Sequence, residues 1–169
     1  MTPIAMSDPA PELVNVKAIC QSLLEAVAAR ATAQRVTVDV ALAPEPAWIV
    51  AIPGLIRGAL HRLMLRALRA MPAGGTLSML VHRRPGVVAV ELADSGLDIS
   101  ANLRAVRVAL RAVGGTVTRS LNDERGTRFL IEIPAAVAER HMLTPPCKEG
   151  SVAPLGESPQ EDLITAPAL

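Results

Sequence analysis

The apolar positions along the chain predict two long helices near its beginning. Between residues 14 and 33 apolar side chains recur every three or four positions, which is the period of an amphipathic helix. Asn15 is a candidate N-cap for this helix because its side chain can accept a hydrogen bond from a free backbone amide. A second run with the same period covers residues 55–70 and ends before Pro72.

Shorter segments of alternating or continuous apolar character predict strands. The predicted strands cover residues 36–42, 76–82, 87–93, 117–121 and 128–133. A short apolar piece, 47–52, precedes the second helix, and a third helix is predicted at 101–113. Strands joined by tight turns and interrupted by helices are typical of an α+β fold. We therefore expect a two-layer sandwich, with the helices packed on one face of a mixed β-sheet.

Proline and glycine positions divide the chain into three parts. Residues 1–11 contain three prolines and predict a flexible lead-in, whereas 12–134 contain all the predicted elements. Residues 135–169 are rich in Pro, Ser, Glu and Gly, and such a segment buries too little apolar surface to repay the entropy lost on ordering. We expect disorder in this tail from about residue 143 onward.

Charge is unevenly distributed between these parts. Residues 12–134 carry 15 basic and 10 acidic side chains, a net charge of +5, whereas 135–169 carry two basic and five acidic side chains, a net charge of −3. The basic residues are almost all arginine, whose planar fork suits phosphate and carboxylate oxygens. GC-rich coding bias is the alternative explanation. Aromatic residues are only 1 % of the chain, which argues against a base-stacking surface for single-stranded nucleic acid.

Composition also limits where the protein works. Cys20 and Cys147 are isolated and lack metal-ligand spacing, so neither a disulfide framework nor a zinc site is indicated. The N-terminal residues have no basic region followed by an apolar run, and no stretch approaches the roughly 18 apolar residues that span a membrane. We expect a cytoplasmic protein that does not contact a membrane.

Five segments together resemble the GHKL superfamily, which comprises the catalytic domains of sensor histidine kinases and their ATPase relatives. The segments are RLMLRA (62–67), AMPAGGTL (70–77), DSGLD (94–98), ALRAVGGTV (109–117) and GTRFLIEIP (126–134). Any one of them is a weak signal, but their order and spacing are those of the family, over about residues 12–134. The resemblance implies the same α+β sandwich, also called a Bergerat fold.

The first segment stands in the frame of the family's N-box, written N-L-x-x-N-A. The family's second asparagine coordinates the magnesium ion that bridges the phosphates, and Arg66 occupies that position here. Arg62 occupies the first polar position of the box. A guanidinium has donors and no acceptor, so neither arginine can bind a hard cation.

The third segment matches the family's G1 box, D-x-G-x-G. Asp94 corresponds to the carboxylate that accepts a hydrogen bond from the adenine amino group, and Gly96 corresponds to the first glycine. Asp98 replaces the second glycine and adds a side chain and a negative charge where backbone approaches the nucleotide. A turn residue or cap retained for folding alone is the other interpretation of Asp94.

The family's long lid and its next glycine box have no counterpart, because no glycine lies between Gly96 and Gly114. Glycine-rich backbone at a helix N-terminus is a common phosphate cradle, so most of the phosphate site is missing.

Two sets of arginines are candidate contacts for phosphate or for an acidic partner. Arg62 and Arg66 lie four residues apart on the second helix, and Arg104, Arg107 and Arg111 follow on the third. The two sets could face each other across the vacated site, or each could be an ordinary solvated helix face.

None of the three histidines is a convincing functional residue. His61 and His82 have no partner pattern, and His141 stands in a faint likeness to a kinase phospho-acceptor box, on the wrong side of the domain. No recognition motif for nucleic acid is present, so we expect none to bind.

The sequence therefore predicts a degenerate histidine kinase-like domain that works as a non-catalytic regulatory or protein-binding module in signalling, like a histidine phosphotransferase or pseudokinase. A signalling protein is the expected partner. We expect no catalytic residue, no bound metal, no required cofactor and no ATP turnover. The alternative is an ATP-binding GHKL ATPase or a histidine kinase subunit acting in trans, with Asp94 and Gly96 on the adenine side and Arg62 and Arg66 near the phosphates.

Overall fold

The computed structural model describes residues 10–99, 102–121 and 126–136. Its elements in chain order are β1 (Glu12–Asn15), α1 (Val16–Ala33), β2 (Val36–Leu42), β3 (Trp48–Ala51), α2 (Pro53–Ala70), β4 (Gly75–Arg84), β5 (Val87–Asp94), α3 (Arg104–Arg111), β6 (Thr116–Leu121) and β7 (Thr127–Pro134). The two-layer α+β sandwich with a mixed sheet is confirmed. The predicted disorder beyond residue 143, the loop at 122–125 and His141 lie outside the described residues.

The main sheet has five strands in the order β2, β4, β5, β7, β6. β2 pairs with β4 in parallel, and every other neighbouring pair is antiparallel. Pro85 and Gly86 form the turn between β4 and β5 as predicted, and Gly86 adopts a φ of 77°, which favours glycine. The central position of β5 places its last residue, Asp94, between β4 and β7.

The hydrophobic core lies between this sheet and the helices. In β7 the buried side chains are Thr127, Phe129, Ile131 and Ile133, which alternate with residues facing the other way. α2 contributes nine buried residues, and Leu63, Met64 and Leu68 are almost completely buried among them. Phe129 is one of only two aromatic residues in the sequence, and it is the largest fully buried side chain in the described part of the chain.

The beginning of the domain differs from the prediction. The pattern predicted a helix from residue 14, but residues 12–15 form β1, which pairs with β3 in a separate two-stranded sheet. Asn15 is nevertheless the N-cap, since its side chain accepts a 3.1 Å hydrogen bond from the amide of Lys17. The apolar residue Val14, next to the cap, fits the helical period as well as it fits a strand. The strand conformation of residues 12–15 depends on pairing with β3, which the local pattern does not reveal.

No helix in the described ranges is long and apolar enough to cross a membrane.

Candidate functional site

Asp94 is buried at the end of β5, with only 1 % of its surface exposed. One carboxylate oxygen, Oδ1, accepts a 3.1 Å hydrogen bond from the amide of Gly96. Burial raises the pKa of Asp94 because it disfavours the charged form, while the Arg66 guanidinium and the amides of Gly96 and Thr127 act in the opposite direction. A carboxylate in such a place requires a cationic or hydrogen-bonding partner.

Arg66 is that partner. Its Nη1 donates to Oδ2 of Asp94 at 2.5 Å, and only 8 % of the residue is exposed. Its Nη2 donates to the hydroxyl of Thr127 and to the carbonyl of Ile99, both at 2.9 Å. The guanidinium carbon lies 5.2 Å from the ring centroid of Phe129, a cation–π distance. A single side chain from α2 thus joins β5, β7 and the segment after β5.

The two N-box arginines have different environments. Arg66 lies in the interior, so it is not part of a solvated helix face, and its acidic contact is within its own chain. Arg62, one turn earlier, is exposed and lines a groove between α2 and α3. Their exposure differs because Arg66 lies on the turn of α2 that packs over the end of β5, whereas Arg62 lies on the preceding turn, which borders the groove.

Gly96 and Gly126 are required by packing around this ion pair. A Cβ atom added at Gly96 would lie 2.5 Å from the carbonyl oxygen of Ala70, where the next amide, that of Leu97, donates a 2.9 Å hydrogen bond. A Cβ added at Gly126 would lie 1.7 Å from the carbonyl oxygen of Asp94, and Gly126 has a φ of 98°. Both glycines of the family frame therefore have a structural reason to be present.

Asp98, at the position of the missing second glycine, faces outward. Its side chain is 52 % exposed and forms an ion pair with Arg119 of β6. The same carboxylate lies 3.9 Å from Nη2 of Arg66. Aspartate at position 98 therefore places a second carboxylate beside Arg66, in addition to that of Asp94, and increases the negative charge around the guanidinium.

Two adjoining cavities lie between α2 and α3. The larger, about 670 Å³, is bordered by Arg62 and Arg104, and its walls include Gly58, Ala59 and Ala109. The smaller, about 380 Å³, is bordered by Arg62, Arg66 and Arg69. We call the larger cavity the α2–α3 groove.

One arginine from each of the two candidate sets borders a common cavity. Arg62 and Arg104 border the same groove, whereas Arg107 and Arg111 line a separate cavity with Thr116 at the start of β6. The cavities differ because α3 packs on both α2 and β6, with Arg104 at the α2 side and Arg107 and Arg111 beside the start of β6.

No cluster of three or more His, Cys, Asp or Glu side chains that could hold a metal ion occurs among the residues described. His82 lies on β4 with its Nε2 3.9 Å from a carboxylate oxygen of Glu91.

The fold can be compared with solved structures. The histidine kinase AdeS of Acinetobacter baumannii superposes with a TM-score of 0.65 at 20 % identity, over 76 % of this chain and 69 % of that one. The catalytic domain of histidine kinase ThkA, in a nucleotide-free form, gives a TM-score of 0.68 at 16 % identity, over 74 % of this chain and 97 % of that one. This is the histidine kinase-like GHKL fold. Neither a protein family model nor a curated protein matches the chain.

Histidine kinase-like structures with bound molecules also match. Full-length ShkA in complex with AMPPNP gives a TM-score of 0.65 at 20 % identity, over 78 % of this chain and 32 % of that one. ThkA in complex with the response regulator protein TrrA gives a TM-score of 0.67 at 18 % identity, over 75 % of this chain and 42 % of that one.

The sequence did not reveal three contacts of the histidine kinase-like site. Thr127, Ile99 and Phe129 all contact the Arg66 guanidinium, although none was a candidate. One signal was present: Arg66 interrupts a row of buried residues on α2, and an arginine among apolar neighbours needs a carboxylate nearby.

Proposed function

We propose that this chain is a histidine kinase-like domain that has lost nucleotide chemistry and acts as a non-catalytic regulatory or protein-binding module in signalling. The observation that carries the proposal is the buried ion pair between Arg66 and Asp94. Asp94 is the carboxylate that the family resemblance assigns to adenine, and here both of its oxygens accept hydrogen bonds from the chain itself.

A nucleotide would have to compete with the Arg66 guanidinium for the carboxylate of Asp94. A charge-assisted hydrogen bond from a guanidinium is roughly twice as strong as a neutral one, so an adenine amino group is a poor substitute. Displacing Arg66 would also leave a buried cation without its partner. The hydroxyl of Thr127 is engaged by the same guanidinium.

Magnesium fits this site poorly for a separate reason. The position that supplies an oxygen ligand in the family carries the positive charge of Arg66, which cannot ligate a cation and repels it. The residues present therefore do not fit Mg-ATP.

Calorimetry tests the nucleotide half of the proposal. The full chain is titrated with Mg-ATP and with ATP plus a chelator, and we expect no heat of binding in either case. Micromolar, magnesium-dependent binding by the wild type would contradict the proposal. Circular dichroism checks that each variant below is folded.

Two matched variants locate the cause. Arg66→Asn restores the family's residue and frees the carboxylate, so we expect weak nucleotide binding through the adenine side to appear in this variant, although the phosphate cradle has no counterpart. Arg62→Asn makes the same change one turn earlier, leaves the Arg66–Asp94 pair intact, and should still bind nothing. Equal behaviour of the two variants would show that Arg66 is not what closes the site.

An ATP-binding role is the second candidate, and the smaller cavity favours it. Arg62, Arg66 and Arg69 border a cavity of about 380 Å³, and their charge could replace that of a metal ion at phosphate. ShkA, a structure of the same fold, is in complex with AMPPNP. Binding of ATP by the wild type that is unaffected by the chelator would support this second candidate and overturn the first.

The partner half of the proposal is drawn from ThkA, which is in complex with a response regulator protein. We propose that a signalling protein of the two-component type binds this chain as well. Affinity capture with the full chain, followed by quantitative mass spectrometry, should enrich a histidine kinase, a phosphotransfer protein or a response regulator. Enrichment of no such protein over an unrelated bait of equal size would contradict this part.

A further inference from the structure

The α2–α3 groove combines small apolar walls with two cationic side chains. Its lining includes the small residues Gly58, Ala59 and Ala109. The side chains of Arg62 and Arg104 also border it. Both arginines are exposed, and their guanidinium groups have no ion-pair partner within residues 10–99, 102–121 and 126–136. Among the described residues that line the groove there is no carboxylate, so the charge of the two arginines is not balanced by these neighbours.

Exposed apolar surface accompanies this charge. Val108 of α3 is 63 % exposed and Leu55 of α2 is 37 % exposed, and both line the groove. An aliphatic ligand segment that also carries carboxylates would remove this apolar surface from water and pair both arginines.

The end of the chain contains such a segment. Residues 161–166 read Glu-Asp-Leu-Ile-Thr-Ala, with two adjacent carboxylates followed by two large aliphatic side chains. Over residues 137–169 the acidic side chains outnumber the basic ones by five to two, opposite in sign to the domain. We propose that residues 161–166 of this chain bind in the α2–α3 groove, with Glu161 and Asp162 at Arg62 and Arg104 and with Leu163 and Ile164 on the apolar walls.

The exit point of the chain is close enough for this contact. Ala136 donates its amide to the carbonyl of Trp48. Leu55 in the groove is seven positions after Trp48, so Trp48 and Leu55 lie at most about 25 Å apart. The 24 residues from 137 to 160 can span up to about 80 Å when extended. A tether of this kind gives an effective concentration on the order of millimolar, so a weak contact is populated.

This inference does not depend on the proposed function, because the groove is formed by α2 and α3 and does not include Asp94. A segment bound there would cover the exposed arginine pair, and a partner using the same groove would have to displace it.

Paramagnetic relaxation enhancement in the full chain tests the proposal. A nitroxide is attached at Thr165→Cys in a Cys147→Ser background, where the remaining thiol, Cys20, is buried and has its pKa raised by burial to about 12, so it resists labelling. We expect the amide signals of Gly58 and Val108 to lose at least half of their intensity relative to the ascorbate-reduced sample.

Charge variants show whether the contact is the proposed one. Glu161→Arg/Asp162→Arg should abolish the broadening, and adding Arg62→Glu/Arg104→Glu should restore it. The matched control, Arg57→Glu/Arg107→Glu, makes an equal charge change on the same two helices outside the groove and should leave the broadening unchanged. The variant Glu161→Arg/Asp162→Arg alters no residue of the domain, so it remains informative if a helix variant fails to fold.

Three outcomes would overturn the proposal. The first is an absence of broadening in the labelled chain that carries no charge substitution. The second is broadening that persists after Glu161→Arg/Asp162→Arg. The third is equal broadening in a mixture of spin-labelled chains with isotope-labelled chains that carry no nitroxide, which would assign the segment in the groove to a second copy.

Discussion

At the scale of single residues, Arg66 determines the environment of the buried Asp94. It stands where the family resemblance implies asparagine, and because its side chain is long and charged it reaches the Asp94 carboxylate. Thr127, Ile99 and Phe129 complete its environment, so the guanidinium has three hydrogen bonds and an aromatic face. The retained acidic residue therefore has a role in folding that is independent of adenine.

Removing Arg66 should be costly to stability. In Arg66→Ala the Asp94 carboxylate stays buried without its charged partner, and loss of one member of a buried pair typically costs about 3–5 kcal/mol. Arg62→Ala, at an exposed position one turn away, should change the free energy of unfolding by no more than about 0.5 kcal/mol. Urea denaturation measures both.

A double-mutant cycle measures the energetic coupling between Arg66 and Asp94. Because both variants remove the same interaction, Arg66→Ala/Asp94→Ala should destabilise the fold by clearly less than the sum of the two single changes. Strict additivity would show that the two side chains are not energetically coupled.

At the scale of elements, glycines determine how closely α2, the segment after β5 and the start of β7 can approach one another. Gly96 packs against the last turn of α2, and Gly126 packs against the backbone of Asp94. The sequence resemblance assigned Gly96 to the G1 box and placed Gly126 at the start of the last family segment, and each glycine makes a close backbone contact within the chain.

A pair of glycine substitutions distinguishes the effect of close packing at Gly96 from the effect of helix propensity at Gly58. Gly96→Ala places a Cβ 2.5 Å from the Ala70 carbonyl oxygen and should destabilise the protein by about 1–3 kcal/mol through overpacking. Gly58 lies in the interior of α2, and apart from the backbone of its own helix and its chain neighbours no atom lies within 4 Å of an added Cβ, so Gly58→Ala should stabilise the protein by about 0.5–1 kcal/mol. Thermal denaturation measures both, and equal shifts in Tm would refute the packing argument.

At the scale of the whole molecule, the sheet order places β5 at the centre and β2 and β6 at the edges. Strand β5 is hydrogen-bonded on both sides and buries Val88, Val90 and Leu92, whereas β6 has a single neighbour and is largely exposed. The stability of the backbone should therefore decrease from the centre of the sheet toward β6.

Hydrogen exchange measures this gradient. We expect the amides of Val88 and Val90 to exchange at least tenfold more slowly than those of Thr118 and Ser120 in β6, because their opening requires disruption of two strand pairs and the core. Protection in β6 equal to that in β5 would contradict the strand order.

Much of the fold could be predicted from the sequence because its signals are local. The periods of apolar residues gave α2 and β2 almost to the residue, and Pro85–Gly86 gave the central hairpin. β1 was missed because its apolar residue Val14 continues the helical period of α1, whereas its strand conformation depends on pairing with β3.

By itself the sequence determined the order of the helices and of the five strands of the main sheet, the resemblance to a family frame and the positions at which arginine stands where that frame has asparagine. Only the tertiary structure decided that Arg66 and Asp94, 28 positions apart, form one buried pair while Arg62 stays exposed. The physical reason is that burial of a charged side chain depends on which elements pack around it. Helical spacing puts both arginines on one side of α2, but the packing of that helix over the ends of β5 and β7 distinguishes them.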